Sequence, residues 1–180
     1  MAASNENIKV SVIIYAKNTA DYIEQCITSV RNQTLHEIEI LIIDGGSTDG
    51  TKEIIEKTNE WDDRIRIFDA PASVGAQFNL GLKQTRGQYI GICEADDYIP
   101  TDMYEKQYRI AEENHLDVVR AGYYQVCSIG GREYRFEHKS CWNPEWTDKV
   151  IENDGFLFLG EAVNGFWSGL YSRKFLEDYA

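Results

Sequence analysis

Ile38-Glu39-Ile40-Leu41-Ile42-Ile43 runs directly into Asp44-Gly45-Gly46-Ser47-Thr48-Asp49-Gly50-Thr51. The first segment is apolar apart from Glu39 and shows none of the apolar–polar alternation of a half-exposed strand. A short run of this kind predicts a strand buried on both faces, as in a parallel sheet covered by helices. The segment that follows is polar and glycine-rich. Ser47 or Thr48 is placed to cap the next helix, with Asp49 in its first turn. Asp44 closes the strand beside two glycines, whose missing side chains let a ligand approach the backbone. Its carboxylate can accept hydrogen bonds from a base or a sugar.

The same grammar extends in both directions. Lys9–Ala16 (KVSVIIYA) is a second buried run, and Asn18, Thr19 and Asp21 supply cap chemistry for a helix to about Asn32. Tyr22, Ile23, Cys26, Ile27 and Val30 share one face of that helix. Downstream, the pattern predicts a helix over Lys52–Glu60, a short strand over Arg64–Phe68 and a helix over Gly75–Thr85 broken by Arg86-Gly87. A fourth strand follows over Tyr89–Cys93, then a helix over Asp102–Asn114 and a strand over Val118–Val126. Repeated strand–helix units with short loops predict an α/β fold, a Rossmann-like, mostly parallel sheet with helices on both faces. Ligands of such sheets bind beyond the carboxyl ends of the strands. The loops after Ala16, Ile43 and Cys93 should therefore open on one edge.

Composition bounds the function. The chain has 180 residues, 43% hydrophobic and 27% charged, with a net charge of −12. That suits one soluble, enzyme-sized domain rather than a disordered chain. No apolar run approaches the ~18–20 residues of a membrane span, and polar Met1–Asn7 lacks the pattern of a signal peptide. An acidic chain is a poor phosphate-neutralising surface, so nucleic acid is excluded as a partner. Cys26, Cys93, Cys127 and Cys141 form no CxxC pair, which points to reduced thiols in a cytoplasmic protein. The Asn32-Gln33-Thr34 sequon is read as a chance match.

Glu94-Ala95-Asp96-Asp97 brings three carboxylates to the end of a buried strand. Like-charge repulsion makes that arrangement costly, and a divalent cation removes the cost. Oxygen-only ligands suit Mg²⁺ or Mn²⁺, with positions left for the phosphates of a substrate. The plainer alternative is a solvated acidic turn in which Asp97 caps a helix. Other catalytic patterns are missing: no GxGxxG after the first strand, no GK[ST] loop and no GxSxG elbow. His36, His115 and His138 fall in no HExxH pattern and read as surface or structural residues. Arg132 and Arg135 read as a solvated strand face. Ser128-Ile129-Gly130-Gly131 reads as a turn between strands Val118–Cys127 and Arg132–Glu137. The later chain is rich in aromatics, including Tyr123, Tyr124, Tyr134, Phe136, Trp142, Trp146, Phe156, Phe158, Phe166 and Trp167. These rings can stack on sugars but are expected mainly to form core.

Taken in order, these segments resemble the family 2 glycosyltransferases of the GT-A fold. The likeness is carried by Tyr15-Ala16-Lys17-Asn18, Ser29-Val30-Arg31-Asn32-Gln33-Thr34, Asp44–Gly50, the Gly75 to Gly81 helix with Asn79, Arg86-Gly87-Gln88-Tyr89-Ile90 and Glu94–Tyr98. It spans roughly Lys9–Leu116, and is weaker at Trp167–Tyr171 and Phe175-Leu176. The resemblance implies transfer of a sugar from a nucleoside diphosphate sugar, a UDP-sugar first of all, to a glycan or lipid-linked acceptor. It implies inversion and a role in surface polysaccharide or glycoconjugate synthesis. Tyr15, Ala16, Asn18, Asp44, Glu94 and Asp96 would bind the donor, and Asp96 and Asp97 the Mn²⁺ or Mg²⁺ ion. Residues 1–116 would form the donor part, and residues 117–180 the start of an incomplete acceptor-side part within one structural domain. The helix beginning near Ser172 suggests a fragment of a longer protein, which would work in the cytoplasm, at the inner membrane face by peripheral association. The catalytic base is unassigned, with Asp154 and Glu161 only downstream carboxylates. Three positions depart from the family pattern: Gly45 stands for a second Asp, Glu94 for an Asp and Tyr15 for a Pro. A nucleotide-binding module without catalysis, or a nucleotidyltransferase, are the alternatives.

Overall fold

The computed structural model describes residues 8–60, 62–138 and 166–179. The chain divides into two compact units, one of residues 1–119 with 170–180 and one of residues 120–169.

In the first unit, β1 (Val10–Ala16) and β2 (Ile38–Asp44) are buried at every position, as their unbroken apolar runs predict. They pair in parallel with β3 (Ile65–Asp69) and β4 (Tyr89–Glu94) on either side. The six-stranded sheet has the order β3-β2-β1-β4-β8-β5, where β5 is Val118–Arg120 and β8 is Gly169–Ser172. β8 runs antiparallel to β4, so the sheet is mostly parallel. Successive side chains of a strand point to opposite faces, and the core divides accordingly. Val10, Val12 and Ile14 pack with Ile23, Ile27 and Ile55, which belong to α1 (Ile23–Arg31) and α2 (Thr51–Asn59), and with Tyr104 of α4 (Met103–Asn114). Ile13, Leu41 and Ile43 pack on the other face with Phe78 and Leu82 of α3 (Val74–Gln84) and Leu176 of α5 (Arg173–Tyr179). Helices thus cover both faces.

Register places the site. Ala16 lies opposite Asp44, and Tyr15 opposite Glu94, so three strands end level at one edge. The other ends are held by a buried polar knot. Ser11 Oγ donates to Glu39 Oε1 at 2.6 Å and accepts from Gly87 N–H at 2.7 Å. Glu39 also accepts from Arg86 N–H at 2.6 Å and Arg66 Nη1 at 3.1 Å. Gly87 permits the approach, since a Cβ there would lie 2.6 Å from Ser11 N.

The strand expected over Val118–Val126 is two strands, β5 and β6 (Tyr123–Ile129). The interruption falls where Ala121 N–H donates to Ser168 O at 3.0 Å, a partner distant in sequence. In the second unit β6 pairs antiparallel with β7 (Arg132–His138) through Gly130 and Gly131, at φ 59° and 76°. Paired left-handed glycines are the turn such a hairpin needs. The hairpin's Tyr124, Tyr134 and Phe136 are 64%, 43% and 53% exposed, against the expectation of core. A two-stranded ribbon offers no interior of its own in which to bury them. Tyr123 is covered instead, stacked on His138 with centroids 4.7 Å apart. Arg135 pairs with Glu133 on the exposed strand face, as its sequence context implies. Cys141, Trp142, Trp146, Asp154, Phe156, Phe158 and Glu161 lie outside the described residues.

Candidate functional site

Two loops at the carboxyl edge are laced together. Asn18 adopts a left-handed conformation at φ 52°, which a short polar side chain tolerates. Its N–H donates to Ser47 Oγ at 3.0 Å, and its Oδ1 accepts from Thr48 N–H at 2.9 Å. Thr19 N–H donates to Thr51 Oγ1 at 2.8 Å, and Ala20 N–H to Asp49 Oδ2 at 3.1 Å. Gly45 N–H donates to Ala16 O at 2.8 Å, extending the β1–β2 ladder one step past the strands.

Asp44 is the buried post of the second loop, 1% exposed. Its carboxylate accepts from Gly46 N–H at 3.2 Å, Ser47 N–H at 3.1 Å and Ser47 Oγ at 2.5 Å. Ser47 is therefore committed to Asp44 and Asn18, and neither it nor Thr48 caps α2. The N-cap is Gly50 at φ 100°. Asp49 precedes the helix rather than lying in its first turn, and accepts from Thr51 N–H and Oγ1. The Thr51 hydroxyl and nearby N–H groups hold the Asp49 carboxyl below its ordinary value.

The third loop follows β4. The Tyr15 hydroxyl donates to Glu94 Oε1. Burial and the Glu94 carboxylate push the Tyr15 phenol far up, so it remains a donor. Asp97 N–H donates to Glu94 O at 2.9 Å and closes a tight turn. Asp96 is exposed and Asp97 half-buried. The Asp97 carboxyl is pushed up to about 6 by burial and by the charges of Asp96 and Glu94. Asp97 does not cap a helix, because α4 starts at Met103 with Asp102 before it.

That turn is braced from below. Gln33, 1% exposed, donates from Nε2 to Pro100 O at 2.6 Å and accepts at Oε1 from Tyr104 N–H at 3.0 Å. Ile99 N–H donates to Ser29 Oγ, and Thr34 N–H to Thr101 O. The Ser29–Thr34 segment is thus the clamp of the acidic turn. Gln33→Leu should lower stability by about 1–3 kcal/mol, since it strands the buried Tyr104 N–H and takes a partner from Pro100 O. Urea unfolding monitored by circular dichroism checks this. Beneath the turn, Cys26 and Cys93 are buried thiols with Sγ atoms 3.5 Å apart. The contact with Cys26 and burial push the Cys93 thiol well up, so it stays protonated.

Every residue expected to bind donor or metal therefore lies on one sheet edge of the first unit. His36 and His115 are exposed away from it. Among the described residues no three His, Cys, Asp or Glu side chains converge as a metal cluster. Two carboxylates at one turn fit a hard ion that takes its remaining oxygens from water and phosphate; they do not fit a closed zinc site. Three features escaped the sequence reading: the Tyr15–Glu94 pair, the Gln33 clamp and Gln77, a buried residue of α3. The first had a signal, because two departures from the family pattern fall at level positions of neighbouring strands.

The model of glycosyl transferase family 2 matches residues 11–180. EpsJ of Bacillus subtilis, described as an uncharacterized glycosyltransferase, is 38% identical over 173 residues, 93% of this chain and 49% of EpsJ. A crystal structure of S. aureus TarS superposes with a TM-score of 0.71 at 23% identity, over 95% of this chain and 49% of that one. The same protein has been crystallised with UDP-GlcNAc. The mannosyltransferase PcManGT of Pyrobaculum calidifontis, in complex with GDP-Man and Mn²⁺, gives 0.67 at 17% identity, over 96% of this chain and 46% of that one. At such identities the structures show the fold. The chain spans about half the length of the curated relatives it matches.

Proposed function

The chain belongs to glycosyl transferase family 2, and from that premise we propose that it carries the donor site of an enzyme moving a sugar from a nucleoside diphosphate sugar to an acceptor hydroxyl. The observation that carries this is the level ending of β1, β2 and β4, which gathers the Ala16–Ala20, Gly45–Gly50 and Glu94–Asp97 loops at one edge. Asn18 and the Gly45–Thr48 backbone line the nucleotide's place. Glu94, held by Tyr15, and Asp96 face the ribose side. Asp96 and Asp97 hold Mn²⁺ or Mg²⁺, which when bound neutralises the diphosphate leaving group. The nucleotide ligands of TarS and PcManGT, and the Mn²⁺ of the latter, support this assignment.

An inverting transfer needs a carboxylate opposite the leaving group to take the acceptor's proton. No described residue of the first unit is assigned that role. The acceptor is a glycan or lipid-linked sugar of surface polysaccharide synthesis, approached from the cytoplasmic side by peripheral association. Among the described residues no helix is long and apolar enough to cross a membrane.

A thermal-shift panel of UDP, GDP and CDP, each with and without Mn²⁺, tests the donor site. A ligand at about 100 times its Kd adds roughly 2.7 kcal/mol, a shift of roughly 5–10 °C at this chain length. A manganese-dependent shift with UDP is expected. No shift with any diphosphate would overturn the donor-site assignment.

A further inference from the structure

Tyr15 and Glu94 face each other across the last rung of the β1–β4 ladder, directly before the functional edge. Tyr15 belongs to an interior strand, between β2 and β4, and is 8% exposed, so packing fixes its ring. Its hydroxyl donates to Glu94 Oε1. A hydrogen bond to an ionised acceptor is of the stronger class. The backbone of Glu94 is held as well, since its carbonyl oxygen accepts from Asp97 N–H at 2.9 Å and from the Cys26 thiol at 3.3 Å. Glu94 Oε2, by contrast, accepts from no described residue and is not enclosed. The carboxylate thus has one oxygen anchored and the other open, at the edge where ligands of such sheets bind.

A glutamate needs an anchor of this kind. Its carboxylate stands on two methylenes, and an unheld side chain of that length samples several rotamers. A ligand binding through it would have to freeze them. Tyr15 freezes them on folding, before any ligand arrives, and such preorganisation raises affinity without a new contact. The phenolic proton is committed to Glu94 in the process. The two departures from the family pattern, Tyr15 for Pro and Glu94 for Asp, are then one feature, a longer acid and its brace.

We propose that Tyr15 is a positioning residue of the donor site: it fixes the Glu94 carboxylate so that Oε2 can accept a hydroxyl of the donor's ribose, and it makes no hydrogen bond to the donor itself. This rests on the donor-site assignment above.

The experiment is a double-mutant cycle read in the Kd for UDP with Mn²⁺, in the parent, Tyr15→Phe, Glu94→Ala and the double variant, together with their nucleotide-free melting temperatures. Tyr15→Phe should weaken UDP binding about three- to tenfold, the range for one side chain that must be immobilised on binding. Glu94→Ala should weaken it at least as much. In that background Tyr15→Phe should have no further effect, because nothing remains for the phenol to position. Tyr89→Phe is the control. The Tyr89 hydroxyl donates to Glu112 Oε1 at 3.0 Å at the opposite end of β4, so this variant loses the same kind of bond far from the edge and should bind UDP like the parent. Unchanged UDP binding in Tyr15→Phe overturns the positioning role, whether or not the melting temperature falls. An equal loss with and without Glu94 overturns it too, since Tyr15 would then act independently of Glu94. A matching loss in Tyr89→Phe overturns it by tracing the effect to stability. All three leave the donor site standing. Parent protein that binds no UDP overturns the donor-site assignment and this inference with it.

Discussion

Glu39→Ala should lower stability by about 3 kcal/mol, near the lower end of the range for breaking a buried pair, because Arg66 keeps a quarter of its side chain exposed. Glu39 is 4% exposed and receives the Ser11 hydroxyl, the Arg86 N–H and the Arg66 guanidinium. Alanine takes a charged acceptor from all three, leaving the Arg86 N–H only Ser11 Oγ and Arg66 Nη1 only Gln84 O, and opens a void between strand and turn. At roughly 2–4 °C per kcal/mol for this length, the melting temperature should fall by about 6–12 °C. That is a large share of the ~5–15 kcal/mol typical of a whole domain. Glu39→Gln keeps one acceptor oxygen and should lose about half as much. The knot sits about five residues back from the functional edge, or ~16 Å along the strands. Well below the melting point, the manganese-dependent response to UDP should therefore survive in Glu39→Ala. Loss of that response in folded variant protein would mean that the knot also shapes the loops.

The legible parts of the fold were those whose energetics are local. β1 and β2 are buried on both faces, so every position is apolar or has a specific partner, and the run announces itself in the sequence. The split of Val118–Val126 was not legible, because the bond from Ala121 to Ser168 depends on a segment far away in the chain. The exposed aromatics of β6 and β7 were misjudged for the same reason: ring content reports apolar area, not whether a second layer exists to cover it. At the candidate site the shared sheet edge was legible and the hydrogen bonds among its loops were not. Asp44 stood out as a ligand group, and nothing in the sequence showed that its oxygens also organise Gly46 and Ser47. Ser47 looked like a helix cap because its position suited one, and tertiary contact with Asn18 won. The departures at Gly45, Glu94 and Tyr15 looked unrelated in sequence. In space each has a counterpart. Tyr15 holds Glu94, and Gly45 makes room for Gln77. Such compensation crosses strands and cannot be read one position at a time.

Asp97→Asn should abolish the manganese-dependent part of the UDP-induced shift while the metal-free protein melts no lower than the parent. The two effects have opposite signs because the same charge has opposite consequences with and without a cation. In the metal-free turn, burial and the charges of Asp96 and Glu94 raise the Asp97 carboxyl to about 6. A folded-state value above the ordinary one means that ionisation near neutral pH works against folding. Asparagine removes that charge with little change in shape, so the folded state loses nothing by it. With Mn²⁺ and a diphosphate the carboxylate becomes a ligand, and its loss should weaken the metal-dependent complex by more than about 10²-fold. Asp102→Asn is the matched control. Asp102 precedes α4 and pairs with Lys106 at 2.6 Å in an exposed ion pair, and its removal should leave stability essentially unchanged and the UDP response intact. A structural acidic turn would give the reverse pattern, with Asp97→Asn melting lower and the manganese-dependent shift retained. That outcome would remove Asp97 from the metal site and leave Asp96, exposed and unbraced, to hold the ion alone. A hard ion can be held by one carboxylate together with waters and the phosphates of its substrate, so a manganese-dependent shift retained in Asp97→Asn would assign the ion to Asp96 and the donor's own oxygens.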